Sequence, residues 1–287
     1  MIDKNLNIDY RELLQNSIDK NLENYIIQLN LCNEKFSEIA VHDIRVRIRR
    51  FLTLLSMIRY ITDIELTTEI MIKLREQLRA FNPLRDVQVQ LLKVQQMVYT
   101  KPVLYRYYHY SISCEEEYVA FLKDRLKGFD VKSLMSLILN LKLEIDRFYK
   151  DYNHKIIRPQ DIACQRFNAV IIRHKLANKD DAIGIHKIRL SFKKFRYTME
   201  IIQPLTNMHS DIFQEMSDFQ TLLGNIQDYT VYMKKLGEFS EIQEQVSKEM
   251  FKPVEEELLF EREKLINAFF SHFDKIYSFW KPEYNSH

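Results

Sequence analysis

The chain has 287 residues, 46% of them apolar, and carries 42 Lys and Arg against 40 Asp and Glu, a net charge of +2. That length suits one large domain or two ordinary ones, and the apolar share supports a substantial core. The near-balance of charge argues against a histone-like coat for nucleic acid, and no stretch approaches the ~20 apolar residues needed to cross a bilayer.

Only 4 Gly and 6 Pro interrupt long runs in which apolar residues recur at helical spacing, so an all-α protein is expected. In chain order, the pattern predicts helices at about 8–30, 36–60, 63–80 and 84–99, then 115–127 and 132–153. Further helices are expected at about 160–177, 180–203, 209–222 and 225–237, with a long one or two from about 242 to 278. Breaks are read at Asn82-Pro83, Lys101-Pro102, Gly128, Arg158-Pro159, Pro204, Gly224 and Pro253. The first residues, Met1 to Asn7, lack the apolar run of a secretion signal. Cys32, Cys114 and Cys164 are scattered and odd in number, which fits reduced thiols in a cytoplasmic protein better than a disulfide framework.

One basic pattern occurs twice. His42 is followed by Arg45, then by Arg49 and Arg50; His186 is followed by Arg189, then by Lys193 and Lys194. Apolar residues match as well: Ile44 with Ile188, Ile48 with Phe192, Phe51 with Phe195. On a helix with the His at 0°, the Arg falls at about 300° and the basic pair at about 340° and 80°. His42, Arg45 and Arg49 thus form one stripe widened by Arg50. His186, Arg189 and Lys193 form another, with Lys194 beside it and Arg196 at about 280°. The apolar positions fall at roughly 160–260°, an ordinary core-facing stripe.

A cationic stripe is unfavourable alone, because like charges at i,i+4 cost about 0.2–0.5 kcal/mol per pair. Within the motifs, only Asp43 relieves it. A multivalent anion would offset the repulsion, and the Arg fork suits phosphate oxygens. Against this stands the usual fate of helical Lys and Arg, a solvated face; recurrence in matching phase weighs for the anion.

The repeat extends further. About 40 residues after His42 comes Leu84-Arg85-Asp86-Val87-Gln88-Val89, then Lys93; about 40 after His186 comes Ile226-Gln227-Asp228-Tyr229-Thr230-Val231, then Lys235. Each half reads as helix, motif helix, short helix, Asp-headed helix and a long closing portion, an internal duplication of a four-helix unit. Packing of the halves about a pseudo-twofold axis would merge the two stripes into one basic groove.

These residues resemble the CHAD domain, the conserved histidine α-helical domain, over about residues 8 to 280. The likeness rests on both His-x-x-Arg-x-x-x-basic-basic motifs, on Leu-Arg-Asp-x-x-Val at 84–89 and on Leu-Leu-Gly-x-x-x-Asp at 222–228. It implies a single domain over 1–287 made of two pseudosymmetric four-helix-bundle repeats, at about 8–130 and 132–280, with no catalytic domain attached. It also implies binding of inorganic polyphosphate in a basic cleft and association with polyphosphate granules. The site expected is His42, Arg45, Arg49 and Arg50 with His186, Arg189, Lys193, Lys194 and Arg196, extended by Arg85, Lys93 and Lys235.

The chain departs from the family's pattern in places. Leu52 stands where a further cation matching Arg196 is usual, and Arg47 projects at about 140°, off the stripe. Gln227 replaces the cation that Arg85 supplies, and Asn82 replaces the glycine retained as Gly224.

Other chemistries are weaker. His42 and His186 lack the paired ligands of helical metal sites, and their cationic neighbours repel a metal, so no metal or cofactor is expected. Phosphohistidine chemistry would need a partner kinase. Asp86 and Asp228 are read as helix-start caps, or as residues that orient a motif Arg, rather than as general bases. The Tyr105-Arg106-Tyr107-Tyr108-His109-Tyr110 cluster is read as a packed or half-exposed connector rather than a base-stacking platform, and Glu255-Glu256-Glu257 as a solvated face. No phosphate-binding glycine loop or nucleophile elbow occurs, so a binding protein rather than an enzyme is expected. RNA or another polyanion, or an acidic protein docking on a helical adaptor, remain alternative partners.

Overall fold

A computed structural model describes residues 9–151, 157–206, 208–242 and 248–281. These residues form ten α-helices joined by short 3-10 turns, with no strand among them. The helices are α1 (Tyr10–Lys35), α2 (Glu38–Thr62), α3 (Leu66–Ala80), α4 (Asn82–Met97), α5 (Tyr105–Lys127), α6 (Val131–Asp151), α7 (Pro159–Leu176), α8 (Ala182–Ile202), α9 (Ser210–Ile242) and α10 (Lys252–Ser271). Residues 1–8, 152–153 and 243–247, where parts of the N-terminal reading and of three expected helices fall, lie outside the described residues.

The ends of α1 and α2 show why the first hairpin forms. The Asp9 carboxylate accepts from the Arg11 amide at 2.8 Å, and the Ser37 hydroxyl from the Ala40 amide at 3.3 Å. Phe36, at φ 48°, closes α1, and Asp63, at φ 52°, closes α2. A left-handed Phe is costly. Here its ring is buried and its carbonyl accepts from Gln88 Nε2 at 2.9 Å, which offsets the strain.

The chain divides into two compact units, and four of the five boundaries between them fall inside α4, α5, α7 and α8. Of the described residues, one comprises 9–88, 114–151, 157–163 and 197–206; the other 89–113, 164–196, 208–242 and 248–281. Compactness thus follows interleaved segments, whereas the sequence repeat divides at about residue 130.

In the first unit α1 packs on α2, α2 on α3, and α6 closes the ring against both α1 and α3. Its core holds Leu14, Ile18, Ile44, Ile48, Phe51, Leu54 and Ile138, all fully buried. The buried Tyr25 hydroxyl donates to Gln77 Oε1 at 2.8 Å across this core. Polar stitching ties α1 to α6: Gln15 Nε2 donates to the Lys142 carbonyl at 2.9 Å, and Lys142 pairs with Asp19 at 2.5 Å.

In the second unit α9 packs against α10. One cluster joins Leu91, Val94, Tyr107, Tyr232, Leu236, Phe239, Phe251 and Leu258. Another is aromatic: Phe192 lies 4.8 Å from Phe219 and 5.6 Å from Phe279 between ring centroids. Such pairs add about 0.5–1.5 kcal/mol each beyond the area they bury.

Three expectations are corrected. Residues 105–114 are no connector: they are the first three turns of α5, and Tyr107 is buried with its hydroxyl donating to Gln90 Oε1 at 2.5 Å. The two helices read at 209–222 and 225–237 are one, α9, which passes straight through Gly224. Glycine inside a helix costs only about 1 kcal/mol, less than burial of Met216, Phe219, Leu223 and Ile226 on the same helix returns. Asp228 consequently lies in mid-helix rather than at a helix start, and Asp86 lies in the second turn of α4.

Candidate functional site

Both motifs lie on helices in the phase expected. In α2 the side chains of Ile44, Ile48 and Phe51 are fully buried; in α8 so are those of Ile188, Phe192 and Phe195. With the apolar stripes turned inward, helix geometry places the cationic stripes along their flanks. His42 is exposed, Arg49 and Arg50 are half-buried; His186, Arg189, Lys193 and Arg196 are half-buried and Lys194 is exposed.

The first unit uses several of its cations internally. Arg45 is only 6% exposed, and its Nη1 donates to the Leu78 carbonyl at 3.3 Å and to Asn82 Oδ1 at 2.5 Å. It thereby ties the C-terminal turn of α3 to the first residue of α4. Burial, then the neighbouring Arg49, pulls the Arg45 guanidinium down to about 9. The motif spacing assigns Arg45 to the anion site; its surroundings give it this anchoring task.

Arg50 faces Glu200, which α8 contributes to the same unit. Nη2 donates to Oε1 at 3.1 Å, and Nε lies 2.9 Å from Oε2 at an angle too bent for a second hydrogen bond. Its guanidinium also sits 5.5 Å from the centre of the Tyr197 ring. Arg85 pairs with the Glu38 carboxylate and donates to the Glu38 carbonyl at 3.3 Å. Glu200 and Glu38 are acidic partners that the motif pattern does not reveal, since neither falls within a motif's basic spacing.

In the second unit His186 Nδ1 lies 2.5 Å from Gln227 Oε1. An amide oxygen only accepts, so Nδ1 carries the hydrogen. Gln227, the residue that replaces the cation found as Arg85, therefore orients the motif histidine. Lys93 sits 3.9 Å from the centre of the Tyr229 ring, and Lys235 pairs with Glu238 at 2.7 Å. Both secondary cations are held against their own unit.

Aromatic side chains offer little to a nucleobase beside these stripes. Tyr197 is buried under Arg50, while Tyr60 is 48% exposed. Among the described residues no cluster of three or more His, Cys, Asp or Glu is placed to hold a metal ion, and Cys32, Cys114 and Cys164 are unbridged. No described helix is long and apolar enough to cross a membrane.

A second cationic surface lies where the motif does not point. A cleft of about 590 Å³ is lined by Gln165, Arg166, Ala169 and Arg173 of α7 and by Lys187, Leu190, Ser191 and Lys194 of α8. Of these only Lys194 belongs to the site expected from the sequence. The signal available is modest: each helix carries a basic pair seven residues apart, and such pairs are common on solvated helices.

The model of the CHAD domain matches residues 32–236, which include both motif helices and the segments that follow them. No curated protein matches the chain. Solved structures share the fold, two of them over more than nine-tenths of this chain. The crystal structure of the CHAD domain from the plant Ricinus communis superposes with a TM-score of 0.66 at 16% identity, over 94% of this chain and 90% of that one. PptA from Streptomyces chartreusis does so with a TM-score of 0.60 at 9% identity, over 93% of this chain and 99% of that one. With most of its length matched by the family model and an all-helical fold shared with a CHAD crystal structure, the chain belongs to the CHAD domain family.

Proposed function

We propose that this protein binds inorganic polyphosphate through the cationic flanks of α2 and α8 and acts as a binding module, without catalysing a reaction. The observation that carries this reading is the recurrence of His-x-x-Arg-x-x-x-basic-basic on two helices whose apolar stripes are fully buried, within the segment that matches the CHAD family. The contacting residues are His42, Arg49 and Arg50 with His186, Arg189, Lys193, Lys194 and Arg196, while Arg45 supports them from behind.

Polyphosphate carries its charge at close, regular intervals, so many modest contacts sum along the chain. Arg supplies bidentate pairs and Lys point charges. Affinity rises with chain length, because each further phosphate along a flank adds another modest contact. Counterion release makes binding fall steeply with salt, and a fully flexible anion is bound without base readout. Granule association inside the cell follows from the same chemistry.

Calorimetric titration with long-chain polyphosphate, tripolyphosphate and RNA of matched charge tests this. The expected order is long polyphosphate first, by about tenfold or more over either competitor. RNA binding more tightly would assign the flanks to nucleic acid, and failure of all three anions would leave an acidic protein partner.

A further inference from the structure

The cleft between α7 and α8 lies off the motif stripes and has its own layout. Arg166 and Arg173 are seven residues apart on α7, as are Lys187 and Lys194 on α8. Seven residues is nearly two turns, so each pair shares a helix face with its members about 10 Å apart along the axis. The helices are consecutive and joined by a short turn, and Phe167 meets Phe195 with ring centroids 5.0 Å apart, as in an antiparallel hairpin. Arg173 and Lys187, the members nearer the turn, lie toward one end of the cleft, and Arg166 and Lys194 toward the other. Two cation pairs thus close the two ends of the cleft.

Its middle is uncharged. Ala169 and Leu190 supply apolar wall, and Gln165 and Ser191 supply polar atoms. Ser191 Oγ spends its hydrogen on the Lys187 or Ile188 carbonyl, at 2.8 and 3.0 Å, which leaves its lone pairs to accept. None of the eight lining residues is acidic. Arg173 uses one donor on the Ala169 carbonyl at 2.7 Å and has four more. Burial lowers Arg166 to about 10, which still leaves it charged at neutral pH. The volume falls within the roughly 300–1,000 Å³ typical of small-molecule sites.

We infer that this cleft binds a small organic bisphosphate, with one phosphate between Arg173 and Lys187, the other between Arg166 and Lys194, and a hydroxylated spacer across Ala169, Leu190 and Ser191. A continuous inorganic phosphate chain matches the layout less well, because its central charges would lie against Ala169 and Leu190. A monophosphate fills one end only. The site does not depend on the polyphosphate reading: it shares Lys194 with that surface, whereas Arg173 and Lys187 belong to the cleft alone.

The test is calorimetry on the full chain with fructose 1,6-bisphosphate, whose phosphates cap opposite ends of a hydroxylated spacer, beside fructose 6-phosphate and tripolyphosphate. One bisphosphate binds per chain, at least about tenfold more tightly than either comparison anion. The variant Arg173→Gln/Lys187→Gln loses that preference, while its titration with long-chain polyphosphate is unchanged. No bisphosphate binding, equal binding of the monophosphate, tighter binding of tripolyphosphate, or a bisphosphate titration unaffected in the variant would each overturn the inference. Loss of long-chain polyphosphate binding in the Arg49→Ala/Lys193→Ala variant with bisphosphate binding intact would establish two separate sites. Failure of the wild-type protein to bind long-chain polyphosphate would sink only the earlier proposal.

Discussion

The same motif does different work in the two units. In α2 its first arginine, Arg45, is buried and bound to Leu78 and Asn82. In α8 the matching Arg189 is half-buried, and the position matching Asn82 is Gly224, which offers no side chain. The histidines differ as well: His42 is exposed, while His186 is oriented by Gln227. Asparagine in place of glycine at the α3–α4 junction supplies one of the two acceptors of Arg45. A repeated motif therefore fixes a helix phase, while the depth at which its first arginine sits differs between the two copies.

Substitutions can break this contrast. Arg45→Ala should be the most damaging, costing about 2–4 kcal/mol in urea unfolding, because it removes a buried charged donor from two part-buried acceptors and leaves a void. Arg189→Ala should cost less than about 1 kcal/mol and instead weaken polyphosphate binding. Equal stability losses for the two would show that the units use the arginine alike. Asn82→Gly should cost about 1–2 kcal/mol, removing the Arg45 acceptor and adding backbone freedom. Combined with Arg45→Ala, its effect should be less than additive, which a double-mutant cycle reads directly.

Acidification probes the second unit. His174 is stacked on Phe273 at 3.5 Å between ring centroids, and its Nε2 lies 2.9 Å from the Phe273 carbonyl. Burial, foremost, holds it below its ordinary value. A histidine depressed in the folded state takes up its proton more readily when unfolded. Its stability contribution is therefore present above about pH 6.5 and declines as pH falls below that. Thermal unfolding followed from pH 7 to pH 5 should show a shallower decline in His174→Gln than in the parent. The smallest effect should come from Gly224→Ala. A methyl there meets nothing within 4 Å, so helix propensity should raise stability by up to about 1 kcal/mol.

Helical periodicity carries most of the fold: the apolar offsets Ile44, Ile48 and Phe51 become the buried face of α2, and Ile188, Phe192 and Phe195 that of α8. Punctuation is the weaker signal. Gly224 reads as a break because its propensity is local, while the burial that carries α9 through it is tertiary. The tyrosine-rich stretch at 105–110 hides the start of α5, since exposed Tyr105 and buried Tyr107 alternate with no strong apolar stripe. Glu200 and Glu38 cannot be matched to Arg50 and Arg85 by spacing, because those pairs join helices distant in sequence. The interleaving of the two units is likewise a property of long-range packing.

The central claim is tested most directly by titrating long-chain polyphosphate into the wild-type protein and into Arg49→Ala/Lys193→Ala at several salt concentrations. We expect wild-type binding that weakens linearly on a log–log salt plot. The variant should bind at least about tenfold more weakly and with a slope smaller by roughly 0.7 for each phosphate no longer neutralised. A folded variant that binds as tightly as wild type, with the same slope, would contradict the assignment of the α2 and α8 flanks as the polyphosphate surface.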